Sequence, residues 1–297
     1  EEMSHQLLPL DTWPAFDVRA SLLEGGRIRL HLSVDGTFLD FRSFLVLFRE
    51  LILLYKSPEQ PLPVLELNFR DYVLTQRAQE SSPAYQRSLA YWSKRIESIA
   101  PAPELPLVKK PSQVKNHRSK RWESSLSVSD WSAFKETMQQ HGLTQAPTLL
   151  AVYGEVLATW SSSPRFCINV PVFNRQGWHK DVNHVLGNFS SFTLVEFDYN
   201  QPLNIVERVR DVQRQLMEGL QYHHISGVQI LRMINQARGK IAAGAYPCVY
   251  TSLPSGVDEW DSSLKSMITG ELGEIKYTIS QTPQVWIDVH VWYESGG

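Results

Sequence analysis

The sequence lacks the features that mark several specialised classes of protein. It contains only two cysteines, Cys167 and Cys248, which lie in apolar runs without metal-ligand spacing, so we expect buried thiols rather than a disulfide. Its 29 basic and 31 acidic residues give a net charge of −2, which provides no electrostatic basis for binding nucleic acid or a membrane surface. No apolar stretch has the length of a membrane span, and the acidic start EEMSHQ is unlike a signal peptide. We therefore expect a cytoplasmic protein.

The sequence also lacks the short motifs of common cofactor-dependent enzymes. It has no P-loop, no dinucleotide-binding fingerprint and no Gly-x-Ser-x-Gly elbow, which argues against ATP, NAD and hydrolase chemistry. The adjacent histidines of YHHISG (222–227) are not followed by Asp-Gly, and His290 has no partners at zinc-ligand spacing. We therefore predict neither a metal site nor a directly bound cofactor.

What is present is an interleaved pattern of strands and helices on an ordinary globular composition, 42% apolar and 20% charged. Alternating apolar residues in FDVRASLL and RIRLHLSV flank Gly25-Gly26 and predict a β-hairpin. Helical spacing predicts helices in DFRSFLVLFRELILLY, NFRDYVLTQRAQES and PAYQRSLAYWSKRIESI. SDWSAFKETMQQHG is a further predicted helix, with Ser129 as N-cap and Gly142 as stop. RFCINVPVF is typical of a strand that is covered on both faces.

Residues 101–118 separate two such regions. The segment APAPELPLVKKPSQVKN carries four prolines and three lysines with little apolar periodicity, which is typical of a linker. Strands and helices occur on both sides of it. The sequence therefore predicts two layered α/β lobes, formed by residues 1–100 and 119–297.

The stretch HLSVDGTFLDFRS (31–43) fits two catalytic patterns in different registers. From His31 it contains H-x-x-x-D-G, and from Asp35 it contains D-x-x-x-x-D-x-x-S, through Asp40 to Ser43. The alternation of RIRLHLSV places His31 inside a strand, where a structural role is favoured over catalysis. Asp35 and Asp40 instead flank a loop that leads into a helix N-terminus, where carboxylates are stabilised.

The second register resembles the heterocyclization (Cy) branch of the condensation-domain superfamily of nonribosomal peptide synthetases. Ordinary members carry paired histidines before x-x-x-Asp-Gly, whereas Leu30 precedes His31 here. Later segments resemble further blocks of the family in the same order: LNFRDYV (67–73), AYWSKRI (90–96), PTLLAVYGEVLATWS (147–161), NVPVFNR (169–175), DVNHVLGNFSSFTLVEFD (181–198), PCVYTSLPSG (247–256) and ISQTPQVWIDVHVWYESGG (279–297). Two residues depart from the family pattern, Asn188 in place of Asp and Ser190 in place of Thr.

The resemblance implies a two-lobed α/β fold, a chloramphenicol-acetyltransferase-like pseudodimer whose lobes meet at a tunnel. Residues 1–100 are then expected to be the C-terminal part of the N-lobe, 101–118 the inter-lobe linker and 119–297 a truncated C-lobe, because family members begin earlier and extend further. It also implies that upstream and downstream peptidyl carrier domains bring the substrates on 4'-phosphopantetheine, with an adenylation domain adjacent.

By the same resemblance, a Cy domain joins a carrier-bound acyl or peptidyl thioester to the amine of carrier-bound Cys, Ser or Thr. It then closes a thiazoline or oxazoline ring by cyclodehydration, which needs proton transfers in a closed site. Asp288 is the best carboxylate candidate, because QVWIDVHVWY places it on one strand face with Trp286 and Trp292, where partial desolvation would raise its pKa. The family motif pairs this aspartate with the threonine that matches Thr251.

The remaining site residues are also inferred from the resemblance. Asn174 matches a position that hydrogen-bonds substrate or intermediate, and Gln281 and Gln284 are weaker candidates. Asp40 matches a structural carboxylate that braces the active-site loop through an ion pair with an arginine. Arg175 is the candidate partner, and breaking a buried pair of this kind destabilises a protein by about 3–5 kcal/mol.

Three questions stay open at the level of the sequence. Asp35 either shares the bracing role of Asp40 or faces the tunnel. The reaction is either heterocyclization or, as an alternative, amide formation by a condensation domain that uses His31. The third possibility is a non-catalytic fragment or module that only docks carrier proteins.

Overall fold

The computed structural model describes residues 2–109, 113–115, 118–239, 246–252, 268–282 and 284–292. Its strands and helices interleave along the chain as the sequence predicts. In order they are β1 (Phe16–Leu22), β2 (Ile28–Val34), α1 (Phe41–Lys56), α2 (Phe69–Ala78), α3 (Pro83–Ile96), α4 (Val128–Gln140), α5 (Gln145–Trp160), β3 (Arg165–Phe173), β4 (Ser190–Asp198), α6 (Ile205–Gln221), α7 (Gly227–Arg238), β5 (Cys248–Ser252) and β6 (Ile287–Val291). None of the described helices is both long and apolar enough to cross a membrane.

The strands form two separate sheets. β1 and β2 pair antiparallel as a hairpin, and the larger sheet has the strand order β4-β3-β5-β6. In the larger sheet β3 and β4 are antiparallel, whereas β5 is parallel to both β3 and β6. This order places β5, which carries Thr251, between β3, which leads directly into Asn174, and β6, which carries Asp288.

The predicted hairpin is present, and its turn depends on glycine. Gly25 and Gly26 have φ angles of +75° and +71°, a left-handed conformation that residues with a Cβ rarely adopt. The apolar side chains that predicted the hairpin are largely exposed, since Leu22 is 85% and Ile28 is 62% exposed. Their alternation therefore marks strand geometry here and not burial.

Helices cover both faces of the larger sheet. On one face Leu150 of α5 and Val209 of α6 pack in one hydrophobic cluster with Phe166 of β3. On the other face Trp92 of α3 and Ile230 of α7 belong to a second cluster. The apolar run RFCINVPVF forms β3 and is covered from both sides, because its side chains alternate between these two clusters.

Both cysteines are buried free thiols, as predicted. Cys167 belongs to the cluster under α3 and α7, and Cys248 to the cluster under α5 and α6. Burial raises the pKa of each thiol to about 12. Both are therefore protonated at neutral pH and behave as small apolar side chains.

The segment after α3 runs along the larger sheet. Ile99 is buried, and the Cys167 N–H donates to the Pro101 carbonyl at 2.7 Å. α3, which precedes the predicted lobe boundary, contributes Trp92 and Ile96 to the cluster that also contains β4 and α7 side chains. The lobe boundary at residue 101 stays a prediction, and the hydrophobic core is continuous across that point in the chain.

α4 begins earlier than the sequence suggested. Its N-cap is Ser127 and not Ser129, because the Ser127 Oγ accepts the Asp130 N–H at 3.1 Å. The Ser127 hydroxyl also donates to the Asp130 carboxylate at 2.6 Å. This second contact favours the serine three residues before Asp130 as the N-cap. Gly142 follows the helix with a φ of +66°, as expected for a stop.

Candidate active site

Asp40 is the centre of the first part of the site. It is the N-cap of α1, and its Oδ1 accepts the Ser43 N–H at 2.7 Å. Arg175, in the loop after β3, lies 2.8 Å from Oδ1, and the Phe189 N–H donates to Oδ2 at 3.2 Å. The side chains of Asp40 and Arg175 are 0% and 4% exposed. The structure thus contains the ion pair that the sequence suggested, with both charges removed from solvent.

Ser43, the last residue of the D-x-x-x-x-D-x-x-S pattern, ties α1 to the same loop. Its Oγ donates to the Gly187 carbonyl at 2.7 Å and accepts from the Gly187 N–H at 3.0 Å. Arg175 also donates to this hydroxyl, at 2.7 Å. A Cβ at Gly187 would lie 2.3 Å from the Phe69 ring, so the close approach requires glycine. We refer to Asp40, Ser43, Arg175 and Gly187 as the Asp40 cluster.

Arg175 organises the loop between β3 and β4. Its Nη1 donates to the carbonyls of Val182 and Val185 at 2.7 and 2.9 Å, and its guanidinium carbon lies 3.9 Å from the Phe189 ring centroid. Burial and, next, the positive charge of Arg175 lower the pKa of Arg42 on α1. The guanidinium therefore holds the loop through backbone contacts as well as through Asp40.

Asp35 has a separate, local role. Its Oδ1 accepts the Thr37 N–H at 2.8 Å, which closes the turn between β2 and α1. Asn188, one of the two departures from the family pattern, donates to the Gly36 carbonyl of the same turn at 2.9 Å. His31 lies on β2 with its Nε2 3.0 Å from the Ser21 hydroxyl of β1. These contacts place Asp35 in the turn after the hairpin and His31 on the hairpin itself.

Asn174 offers a buried acceptor at the start of the loop. The residue is 7% exposed, and its backbone N–H donates to the Phe189 carbonyl at 3.2 Å. Its side-chain Oδ1 is buried and accepts no hydrogen bond from the described residues. Leaving such an oxygen without a donor is unfavourable by about 1–3 kcal/mol, so Asn174 is a strong candidate for binding a donor group of a ligand.

Tyr72 of α2 holds the backbone on both sides of Arg175. Its hydroxyl donates to the Asn174 carbonyl at 2.7 Å and accepts the Gln176 N–H at 3.1 Å. Its ring stacks on Trp178 with 4.6 Å between centroids. Desolvation raises the pKa of Tyr72, so the phenol remains a neutral donor. α2 thereby fixes the position of Asn174.

The second part of the site lies on β6 and on the neighbouring residue Thr251 of β5. Parallel pairing with β5 places Val249 opposite Asp288 and Thr251 opposite His290. The Asp288 Oδ2 lies 2.9 Å from the His290 Nε2, and the two side chains are 28% and 35% exposed. Val289, between them, packs against the hydrophobic core. We refer to Thr251, Asp288 and His290 as the β6 face.

The other residues predicted near Asp288 enclose it only in part. Trp286 and Trp292 are 40% and 53% exposed, so the two rings leave the Asp288 carboxylate accessible. The Gln281 amide nitrogen lies 2.9 Å from His5 Nδ1, and Gln284 is exposed in a turn. The described contacts therefore tie Gln281 to the N-terminal segment and leave Gln284 in solvent.

An aromatic contact joins the two parts of the site. The Phe41 ring, at the start of α1, meets Trp292 edge-on with 5.7 Å between centroids, and Trp292 stacks on His290 at 6.3 Å. A cavity of about 150 Å³ lies beside Phe41, lined by Phe41, Arg42, Leu45, Val46, Phe173, Arg175 and Asn183. The site thus combines a buried scaffold, an acceptor at Asn174 and an accessible carboxylate–imidazole pair that can move protons.

Comparison with known proteins identifies the family. The Condensation domain family matches residues 3–244, which is most of the chain. The chain belongs to the condensation-domain family.

Two curated proteins and one solved structure show the extent of the similarity. This condensation domain is 33% identical over 298 residues to the pyochelin synthetase PchF of Pseudomonas aeruginosa, covering 100% of the chain and 16% of that protein. It is 32% identical over 299 residues to the phenyloxazoline synthase MbtB of Mycolicibacterium paratuberculosis, covering 100% of the chain and 24% of that protein. The chain therefore spans less than a quarter of either relative.

The solved structure is the cyclization-docking bidomain of the EpoB nonribosomal peptide synthetase from Sorangium cellulosum. The TM-score is 0.84 at 32% identity, and the match covers 99% of this chain and 58% of that one. The predicted α/β condensation-domain fold is confirmed by this similarity.

The described residues of the condensation domain include one group of side chains close enough together to hold a metal ion, Glu66, His179 and Asp181. Asp181 Oδ2 accepts the Glu66 N–H at 2.9 Å, and His179 Nδ1 accepts the Asp181 N–H at 3.2 Å. Lys180 Nζ lies 3.1 Å from the Glu66 carboxylate and supplies a positive charge. The ligand atoms are thus engaged in loop contacts, and we assign the group to structure.

A larger cavity of about 560 Å³ lies along the outer edge of β4, between α3 and α6, and its lining contains none of the site residues. Gln215 of α6 covers this edge, because its amide donates to the Glu196 carbonyl at 2.7 Å and accepts the Glu196 N–H at 2.8 Å. Arg95 donates to the Leu194 carbonyl at 3.1 Å. These side chains pair with β4 as a neighbouring strand would.

Two residues of this condensation domain carry more of the site than the sequence suggested. His290 lacks zinc-ligand spacing, but Asp-x-His within a strand already places both side chains on one face. Tyr72 donates a hydrogen bond to the carbonyl of Asn174, 102 positions away, and no local sequence pattern predicts such a contact.

Proposed function

We propose that this condensation domain is a heterocyclization domain. In the proposed reaction the amine of a carrier-bound Cys, Ser or Thr attacks a carrier-bound acyl or peptidyl thioester. An amide forms, and the donor phosphopantetheine thiol leaves with a proton. The side-chain thiol or hydroxyl then adds to the new amide carbonyl, whose oxygen departs as water to leave a thiazoline or oxazoline ring.

The construction of the Asp40 cluster is the observation that carries this proposal. The D-x-x-x-x-D-x-x-S pattern shared with the heterocyclization branch corresponds here to real contacts, because Asp40 and Ser43 both bind Arg175. In the competing register, His31 lies on the hairpin and contacts Ser21 of the neighbouring strand. These contacts support the aspartate register, whose residues lie beside the loop that carries Asn174.

The similar proteins support the same reaction. One relative is named a phenyloxazoline synthase, and an oxazoline is the ring expected from a Ser or Thr acceptor. The solved structure with a TM-score of 0.84 is described as a cyclization-docking bidomain. An amide-forming domain that uses His31, the alternative function, has no comparable support from the contacts of that residue.

Each candidate residue has a role in the proposed chemistry. Asp288 accepts the proton of the attacking thiol or hydroxyl and returns a proton to the departing oxygen, a contribution of about 10²–10⁴-fold for a well-placed group. Thr251 hydrogen-bonds the intermediate on the same sheet face. Asn174 accepts the amide N–H of the substrate through its orphaned Oδ1. The buried Asp40 holds the loop and does not touch substrate.

The proposed partners follow from the reaction. Upstream and downstream peptidyl carrier domains present both substrates on 4'-phosphopantetheine, and an adjacent adenylation domain selects the amino acid. The reaction neither oxidises nor reduces the substrates, because each bond change is an addition or an elimination.

Intact-mass analysis of products from the full-length polypeptide with both carriers loaded tests the proposal. We expect the wild type to release one water beyond amide formation and Asp288→Ala to stop at the linear amide. Glu136→Ala, which removes an exposed carboxylate on α4, is the matched control and should form the ring as the wild type does. A wild type that stops at the linear amide would show an amide-forming domain instead.

A further inference from the structure

We infer that His290 is a positioning residue for Asp288, held 2.9 Å from its carboxylate on the β6 face. The inference rests on the proposed function, because it gives His290 a part in ring closure. The two residues are separated by one position on a strand, so their side chains share a face.

The strand register gives the first argument. Thr251 lies opposite His290, whereas Asp288 lies opposite Val249. Adjacent strands are about 4.8 Å apart, and residues two apart on a strand are about 6.6 Å apart, so the backbones of Thr251 and Asp288 are separated diagonally by about 8 Å. The side chain in register with Thr251 is thus the imidazole of His290 and not the carboxylate of Asp288. The imidazole is also the group in contact with that carboxylate, at 2.9 Å.

The chemistry of the contact gives the second argument. An ionised carboxylate only accepts hydrogen bonds, so the His290 Nε2 that faces Asp288 carries the proton. The donated N–H fixes which carboxylate oxygen remains available for the substrate. The other ring nitrogen, Nδ1, is left for a further hydrogen bond. This division resembles the way in which an oriented histidine and a carboxylate share work in many active sites.

The surroundings of the ring give the third argument. His290 stacks on Trp292 with an interplanar angle of 10°, and Trp292 meets the Phe41 ring edge-on. Phe41 follows Asp40 directly, so the imidazole is aligned from the side of the Asp40 cluster. Its orientation is therefore set by contacts on both sides.

Exposure separates this role from a purely structural one. The side chains of Asp288 and His290 are 28% and 35% exposed, and ion pairs near the surface contribute little to folding stability. The pair is therefore poorly explained as a stabilising contact. It is, however, open to a substrate, as the fully buried Asp40 is not.

Two substitutions at one position test the inference. His290→Leu removes the donor, and His290→Gln retains an N–H that can reach Asp288. Both are compared in the full-length polypeptide with loaded carriers, and the linear amide and the ring are quantified separately. We expect His290→Leu to slow ring closure about 10- to 100-fold with amide formation unchanged, the range expected for losing a hydrogen bond to a charged group. His290→Gln should recover most of that rate.

The controls distinguish failure of the inference from failure of the proposed function. His223→Leu, two residues after the end of α6 and far along the chain from Asp288, should leave both products unchanged, and thermal melting of all variants reports folding. Ring closure at the wild-type rate in His290→Leu overturns the inference and leaves the proposed function standing. Equal loss in the Leu and Gln variants also overturns the positioning role. Absence of ring in the wild type overturns the proposed function itself.

Discussion

Asp40 and Asp288 show one type of side chain in two opposite environments. Asp40 is 0% exposed and receives hydrogen bonds from Ser43, Arg175 and the Phe189 backbone. Asp288 is 28% exposed, and its described charged partner is His290. A carboxylate with several fixed donors cannot change partners without breaking the loop around it. A carboxylate with one imidazole partner can accept and return a proton.

The comparison distinguishes residues that hold the site in place from residues that take part in the proposed reaction. The residues of the D-x-x-x-x-D-x-x-S pattern carry the recognisable signature, yet the contacts of Asp40 and Ser43 cap α1 and anchor the loop after β3. The groups that we assign to ligand binding are Asn174 and the β6 face, which lie in stretches of less distinctive sequence. A signature motif therefore need not mark the reacting atoms.

Replacing each aspartate by alanine should give the largest difference between the two environments in the free energy of unfolding. Asp40→Ala leaves the buried charge of Arg175 without its carboxylate partner. It should lower the free energy of unfolding by about 3–5 kcal/mol. Asp288→Ala removes a partly exposed carboxylate and should lower it by less than about 1 kcal/mol. Urea unfolding curves measure both. Similar losses at the two positions would contradict the distinction between a buried scaffold and an accessible site.

Gly187→Ala tests how tightly the Asp40 cluster is packed. The added Cβ would lie 2.3 Å from the Phe69 ring, so we expect the free energy of unfolding to fall by about 1–3 kcal/mol through overpacking. Gly177→Ala is the matched control in the same loop, because nothing lies within 4 Å of a Cβ there. Urea unfolding that gave equal effects for the two variants would show that the loop adapts freely.

Tyr72→Phe should produce a smaller stability change than Asp40→Ala and the most specific effect on activity. It removes the hydrogen bonds to Asn174 and Gln176 but keeps the ring stack, so we expect a loss of about 1–2 kcal/mol. Tyr246→Phe, which removes a buried bond to the Ala100 carbonyl, is the control. Product analysis should show reduced ring formation only in Tyr72→Phe, since only that change releases Asn174. Equal activity in both variants would remove Tyr72 from the site.

Local patterns in the sequence predicted the elements well. The hairpin depends on Gly25-Gly26, and the helices follow apolar spacing that does not require knowledge of distant residues. The N-cap of α4 was misplaced by two residues because Ser127 and Ser129 are both plausible caps, and the contact with Asp130 decides between them.

Long-range contacts mark where the sequence stopped being informative. The pairing of Asp40 with Arg175 spans 135 positions and was suggested by family resemblance, not by local chemistry. The register of β5 against β6, which places His290 and not Asp288 opposite Thr251, depends on how two strands align in space. The residues next to Trp92 do not predict its packing in the core. The residues next to Tyr72 do not predict its hydrogen bonds to Asn174 and Gln176.

The amide of Gln215 has a consequence for how the edge of the larger sheet meets other strands. By occupying both the N–H and the carbonyl of Glu196, it ends the sheet at β4 and leaves those groups unable to template a strand from another chain. A single glutamine on a helix thus protects the edge of the folded sheet at Glu196 from edge-to-edge pairing.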